Sequence, residues 1–239
     1  MFLTGALTLA FLAAPATPDL YFEQTTIVYI GGQAAGPGVH TRTWHAGRSM
    51  RLEAGDTPAA GPALVLRFDL DRAWRLDPAQ RVAVELDAAR LKARSQADAA
   101  FAAGLMGGGE DGAVRARALE GSRTVAGYAC RGYQLTGPSV QMVLWVAEDL
   151  PVGVDAFADF LEWSGASRSM GGLLAEIRAL PGFPLQTRTR VEVLGEIRET
   201  VSVVTTIDVG PQPGELFEVP AGWRVVVEAP APTQEGDPE

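Results

Sequence analysis

Apolar and polar residues alternate with a period of two along most of this chain, and the alternation is longest in Gln186–Val209. On a first strand Thr187, Thr189, Val191 and Val193 fall on one side, with Gln186, Arg188, Arg190 and Glu192 on the other. After Leu194-Gly195-Glu196 the pattern resumes, with Ile197, Val201, Val203 and Ile207 opposed to Arg198, Thr200, Ser202 and Asp208. Alternation of this length predicts an antiparallel hairpin with one buried face and one wet face. Similar segments predict further strands at Leu20–Ile30, Val39–His45, Ser49–Glu53, Leu64–Leu70, Trp74–Leu76, Val82–Leu86, Ala126–Tyr133, Val140–Glu148 and Phe217–Val227. The Asp77-Pro78-Ala79-Gln80 stretch suits a type I turn with Pro at its second position.

Three segments change period. Asp87–Met106 carries Ala93, Ala97, Ala100 and Phe101 at helical spacing and stops at Gly107-Gly108-Gly109. A second helix, with Asp155 as its N-cap, sets Phe157, Phe160 and Leu161 on one face. A third carries Met170, Leu173, Leu174, Ile177 and Leu180 and ends at Pro181-Gly182. No segment repeats at a fixed period, which excludes a solenoid or propeller. About ten strands and three short helices, in the order sheet, helix, sheet, helices, sheet, make an α+β plan. The helices pack on one face of an open antiparallel sheet, whose single apolar side is concave because so wide a sheet must curl.

Composition narrows the setting. A hydrophobic content of 47% supports a full core, and no linker divides the chain. A net charge of −9 argues against nucleic acid and against an anionic membrane surface, since both are bound through clustered Lys and Arg. The uncharged start, with an apolar run at Leu3–Ala14 and a small-x-small site at Ala14-Pro15-Ala16, reads as a signal peptide over residues 1–16. No basic residue precedes that run, and a buried first element is the competing account. Export to the periplasm or outside the cell is expected, followed by a single domain over residues 17–227 and a disordered acidic tail over residues 228–239.

Candidate chemistry is sparse. His40 and His45 are separated by an odd number of positions on one strand, so they point to opposite faces and cannot share a metal. Neither has a Gly-x-Ser-x-Gly elbow to serve. Cys130 is the single cysteine and lies in an apolar strand without a local base, as a packing thiol does. Asp69, Asp71, Asp77, Glu85 and Asp87 alternate with apolar residues and read as the wet face of a hairpin. The Gly107–Gly109 run lacks the Lys-Ser/Thr element of a phosphate loop. These readings leave no catalytic constellation, no metal and no cofactor, and the chain is expected not to be an enzyme.

Several local signatures carry a resemblance. Arg67-Phe68-Asp69 precedes Trp74-x-Leu76-Asp77; Val125-Ala126-Gly127-Tyr128-Ala129-Cys130 leads to Gly132-Tyr133; Trp145-Val146-Ala147-Glu148-Asp149-Leu150-Pro151 follows; Phe217-Glu218-Val219-Pro220-Ala221-Gly222-Trp223 comes last. In this order they resemble an uncharacterised family of exported bacterial proteins, a domain-of-unknown-function family. It is related to the periplasmic lipoprotein-localisation (Lol) carriers and the mycobacterial lipid-carrier lipoproteins. The resemblance spans about Leu20–Val227 and implies an unclosed half-barrel of antiparallel strands with helices plugging the concave side. In the characterised relatives that concavity takes up acyl chains. The lipidation cysteine of some relatives is absent here, and no catalytic residue is carried over.

The two later helices offer more apolar surface than one sheet face needs. Phe157, Phe160, Leu161, Met170, Leu173, Leu174 and Ile177, with Trp163 nearby, are ordinary core on the plainer account. On the functional account they form a movable lid over an apolar cavity, where Met and aromatic groups give an adaptable lining. The expected function is an exported carrier of a lipid or other apolar ligand. The alternative is a module that grips an envelope protein with the same face or with an edge strand.

Overall fold

A strand side chain points to one face or the other by local geometry alone, but which strands share a face is set by their pairing. A computed structural model describes residues 18–55, 61–105, 114–137, 140–169, 171–193 and 195–228. The proposed signal peptide and all but the first residue of the proposed tail lie outside the described residues. So does Met170.

The strands are β1 Leu20–Ile30, β2 Gln33–Ala34, β3 Val39–Ala46, β4 Ser49–Ala54, β5 Ala63–Arg67, β6 Arg72–Asp77 and β7 Val82–Leu86, then β8 Arg115–Val125, β9 Tyr128–Thr136, β10 Val140–Ala147, β11 Phe183–Val193, β12 Glu196–Val209 and β13 Arg224–Val227. Helix α1, Ala88–Leu105, separates β7 from β8, and α2 Ala158–Trp163, α3 Ala166–Ser169 and α4 Gly171–Arg178 separate β10 from β11. All thirteen strands of the described residues join one open sheet in the order β13-β7-β6-β5-β4-β3-β1-β12-β11-β10-β9-β8, with β2 paired to β1. The α+β plan with an open, mostly antiparallel sheet is therefore the fold. Cα atoms of β8 and β12 come within 8 Å of one another, although four strand spacings in a flat sheet would hold them about 19 Å apart. The sheet must curl strongly at this end.

The structure differs from the sequence pattern in several places. The alternation assigns nothing to Arg115–Val125, because β8 is an edge strand with mostly exposed side chains. Strand β13 runs parallel to β7, not antiparallel, because the connection from β12 crosses β1 and β3 through β7 and re-enters the sheet in the direction of β12, which β7 shares. Asp155 is not a helix N-cap: it lies inside a 3-10 turn, Val154–Phe157, whose cap is Gly153 without a side-chain bond. Last, the long hairpin is not amphipathic across both strands. Arg188 stands beside Val201 and Gln186 beside Val203, so the charged stripe of β11 shares a face with the apolar stripe of β12. No described residue of Gln186–Glu192 or Glu196–Val203 is fully buried.

The sheet also has two apolar faces, not one. On the helix-covered face Met50, Leu66 and Ala73 stand in one cross-strand row, packed against Leu91 of α1 and Phe160 and Trp163 of α2. On the opposite face Ala63, Val65, Trp74, Leu76 and Ala83 form a second cluster closed by Phe217, with Leu216, Val219 and Trp223 beside it. Strands β5 to β7 are consequently buried on both sides, which is why Val65 and Ala83 break the expected polar alternation. The crossing segment is tied down by Arg51, whose guanidinium donates to the Leu216 carbonyl at 3.0 Å and pairs with Glu53 at 2.7 Å. Asp19 pins its start, accepting from the Gln212 N–H at 3.3 Å.

Candidate functional site

The segment from Val154 to Arg178 covers the sheet with elements that are weak on their own. The 3-10 turn and α2 have no side-chain cap bond, and α2, α3 and α4 have 6, 4 and 8 residues. Helices this short are not stable in isolation, so the cover holds its shape through its contacts with α1, against which α3 packs, and with the sheet. The sheet contacts are aromatic. The Phe157 ring meets Phe22 at 6.0 Å edge-on, Phe183 at 6.1 Å and the His45 ring at 5.5 Å. Phe160 and Trp163 meet Phe68 at 6.5 and 6.1 Å. One ion pair ties the cover to the sheet, Arg48–Asp159 at 3.2 Å, and a second, Arg178–Asp155 at 3.1 Å, joins the two ends of the cover itself; pairs this exposed contribute at most about 1 kcal/mol each.

The residues singled out for ligand contact divide into two groups. Phe157 and Phe160 line the seam with the sheet and are only partly buried, as is Leu161. Leu173 is fully buried with Tyr133, Leu135, Leu144 and Val146, and Ile177 flanks that cluster; Leu174 is buried as well. The seam and the α4 contact are thus two apolar patches under one cover, packed by side chains. A groove of about 920 Å³ lies elsewhere, at the hairpin end, lined by Tyr29, Arg188, Arg190, Ile197 and Glu199. Its lining is mixed polar and apolar.

Sequence reasoning missed the sheet side of the seam: Phe22, Phe68 and Phe183. Phe22 and Phe68 stood on predicted strands and Phe183 just ahead of the predicted hairpin, but nothing local showed that they converge. It also missed His45. That imidazole is 3% exposed, and neither ring nitrogen has a hydrogen-bond partner among the described residues. Burial pushes its pKa below the usual histidine range, and the carboxylates of Asp19 and Asp159 only partly oppose this. His40 lies on the other face, as the odd spacing requires, with Nε2 3.5 Å from Glu23.

The remaining candidates have structural roles. Cys130 is buried, and burial raises its thiol pKa. Asp87 accepts from the Arg90 N–H at 3.0 Å and so caps α1. Asp77 accepts from the Gln80 N–H at 3.0 Å in the predicted turn. Glu85 pairs with Arg72 at 2.8 Å. Asp69 pairs with Arg67 at 2.7 Å, and that bond holds its carboxyl below the usual range. Among the described residues no cluster of three or more His, Cys, Asp or Glu could hold a metal ion, and no helix is long and apolar enough to cross a membrane.

These features define an open-sheet α+β protein with a short-helix cover over an aromatic seam. A family model described as a domain of unknown function, DUF4412, matches residues 72–223, more than half of the 239 residues, and the chain belongs to that family. Among solved structures it is similar to MucB, with 14% identity, a TM-score of 0.44 and coverage of 88% of this chain and 60% of that one. It is similar to PNGF-II, with 10% identity, a TM-score of 0.37 and coverage of 88% and 32%. A domain from Vibrio parahaemolyticus named for outer membrane lipoprotein sorting shares 8% identity, with a TM-score of 0.28 and coverage of 83% and 89%. The chain therefore spans about a third of PNGF-II and three fifths of MucB. No curated protein matches the chain in sequence.

Proposed function

We infer that this is an exported, non-enzymatic protein that binds an apolar ligand, a lipid or acyl chain, between the Val154–Arg178 cover and the sheet. The observation that carries the reading is the seam itself. Phe157, Phe160 and Trp163 on the cover and Phe68 at the end of β5 are only partly buried, over the buried Phe22 and Phe183, while the short helices of the cover depend on their packing for stability. Lifting the cover would expose two adjacent apolar patches to an acyl chain. Re-closing over that chain would recover their burial at about 25 cal/mol per Å². Segments of low local stability are the ones from which ligand lids are drawn.

The test is saturable binding of a fluorescent fatty-acid analogue, with melting measured on the same variants. Phe160→Gln should weaken binding with little loss of melting temperature, since its ring lies at the partly open seam. Leu174→Gln should unfold the protein, because a buried unpaired amide adds about 1–3 kcal/mol to the lost packing. No saturable uptake of any lipid would end the carrier reading. N-terminal sequencing of exported material should begin at Thr17; full-length protein retained in the cytoplasm would remove the export claim.

A second reading, an envelope protein gripping the sheet, is favoured by the distal halves of β1, β11 and β12, where neither face is fully buried. Crosslinking through Ile197→Cys in host envelopes would identify such a partner, and a chain that crosslinks to nothing there would count against it.

A further inference from the structure

The two edges of the sheet are finished differently. At one, β8 carries Arg115, Arg117, Glu120 and Arg123. It has a bulge between Ala118 and Ser122, and Glu176 of α4 accepts its outward Ala116 N–H at 3.0 Å. Charges, a bulge and an occupied N–H are the devices that keep an edge strand from pairing further. At the other edge, β13 and the next residue read Arg224-Val225-Val226-Val227-Glu228, and the three valines are 51%, 37% and 75% exposed.

The ladder shows which groups of this edge are open. The Arg224 N–H donates to the carbonyl of Arg81, just ahead of β7, at 3.1 Å, and the Glu228 N–H to that of Glu85 in β7 at 2.8 Å. Residues of a parallel strand alternate between facing their neighbour and facing away. Val225 and Val227 therefore turn their N–H and C=O groups outward, where they meet no described residue.

We propose that β13 is a homodimer edge, in which two copies pair antiparallel about a two-fold axis at Val226 and join their sheets. The segment is self-complementary. With the axis at Val226, Arg224 of each copy faces Glu228 of the other, and Val225 faces Val227. The same register sets outward-facing groups against outward-facing groups, so two residue pairs exchange both N–H···O bonds. A slip of one residue would set outward groups against inward ones. A slip of two would leave Arg224 opposite Val226 and remove both charge pairs. Isologous pairing of this kind closes on itself as a dimer and leaves the guarded β8 edges outermost.

Glu228 already meets Arg90 of α1 at 2.5 Å, and a carboxylate has acceptor sites for a second guanidinium. Val225 and Val227 lie on the other face, in register with Ala83 and Glu85. Their counterparts from the second copy would complete a patch of four valines. A seam this short belongs to the small, concentration-dependent class of interfaces.

Sedimentation of the full chain over a concentration series should show a reversible species of twice the chain's mass. Arg224→Glu alone sets Glu against Glu at both ends, and Glu228→Arg alone sets Arg against Arg. Each should weaken the dimer at least about tenfold, because like charges directly opposite one another destabilise a strand pair. Mixing the two variants should restore it, since every facing pair in the mixed dimer is then opposite in charge. Val227→Pro removes an outward donor without touching the β7 ladder and should abolish the dimer with melting nearly unchanged. A wild-type chain that stays monomeric throughout, whether or not its own terminal residues occupy the edge, would overturn the proposal. So would a dimer that survives Val227→Pro, or single variants that show no recovery on mixing.

Discussion

His45 offers a sharp test of how the cover sits on the sheet. Its ring lies in the row formed with Leu20 of β1 and Met50 of β4, beneath Phe157, with both nitrogens unpaired among the described residues. A buried polar group left without its bonds costs about 1–3 kcal/mol, and replacement by an apolar group of similar shape is neutral or stabilising. His45→Leu should therefore stabilise the protein by about 1 kcal/mol near neutral pH, a rise in melting temperature of about 2–4 °C for a domain of this size. The gain should grow in acid. Because the folded pKa lies below the ordinary value of 6.5, the unfolded chain binds more protons than the native one between the two values. The wild-type stability then falls as pH drops below 6.5, whereas the Leu variant lacks this contribution. The measurement is paired thermal or urea melts of both proteins from pH 8 to 5. Their difference should be flat above the histidine range and widen below it. A destabilised His45→Leu, or a difference that does not change with pH, would show that the imidazole is neither unpaired nor sealed under Phe157.

Three further outcomes follow from the packing. Phe217→Ala should lose about 3–5 kcal/mol, because it empties the centre of the cluster that fastens the crossing segment to the face opposite the helices; urea melts check it, and a loss under about 1 kcal/mol would refute the two-faced core. Gly182→Ala should lose more than about 2 kcal/mol, since Gly182 has φ +94° and a Cβ there would lie 2.1 Å from the Ala147 carbonyl oxygen; failure to see lower melting would mean that β10 and β11 do not meet in this way. Cys130 should react with a thiol reagent at the rate of unfolding rather than on mixing, because its thiol is buried and its pKa raised; fast native labelling would refute the packing of β9.

The sequence by itself determined the class and most of the elements, β2 and β8 excepted. Period two in Leu20–Ile30 and Gln186–Val209 and helical spacing in Asp87–Met106 are local properties, because a side chain's direction follows from its own backbone. The same locality put His40 and His45 on opposite faces and made Cys130 a packing thiol. Tertiary structure alone decided the pairings. That Arg188 stands beside Val201, that β13 runs parallel to β7, and that Phe217 seals a second apolar face over Val65 and Trp74 all depend on register and crossover over long separations. The seam was half legible: Phe157 and Phe160 showed on their helix face, whereas Phe22, Phe68 and Phe183 reach it from three different strands or strand ends. His45 was the least legible, since an imidazole without partners is defined by what surrounds it, and no neighbour in sequence supplies those surroundings.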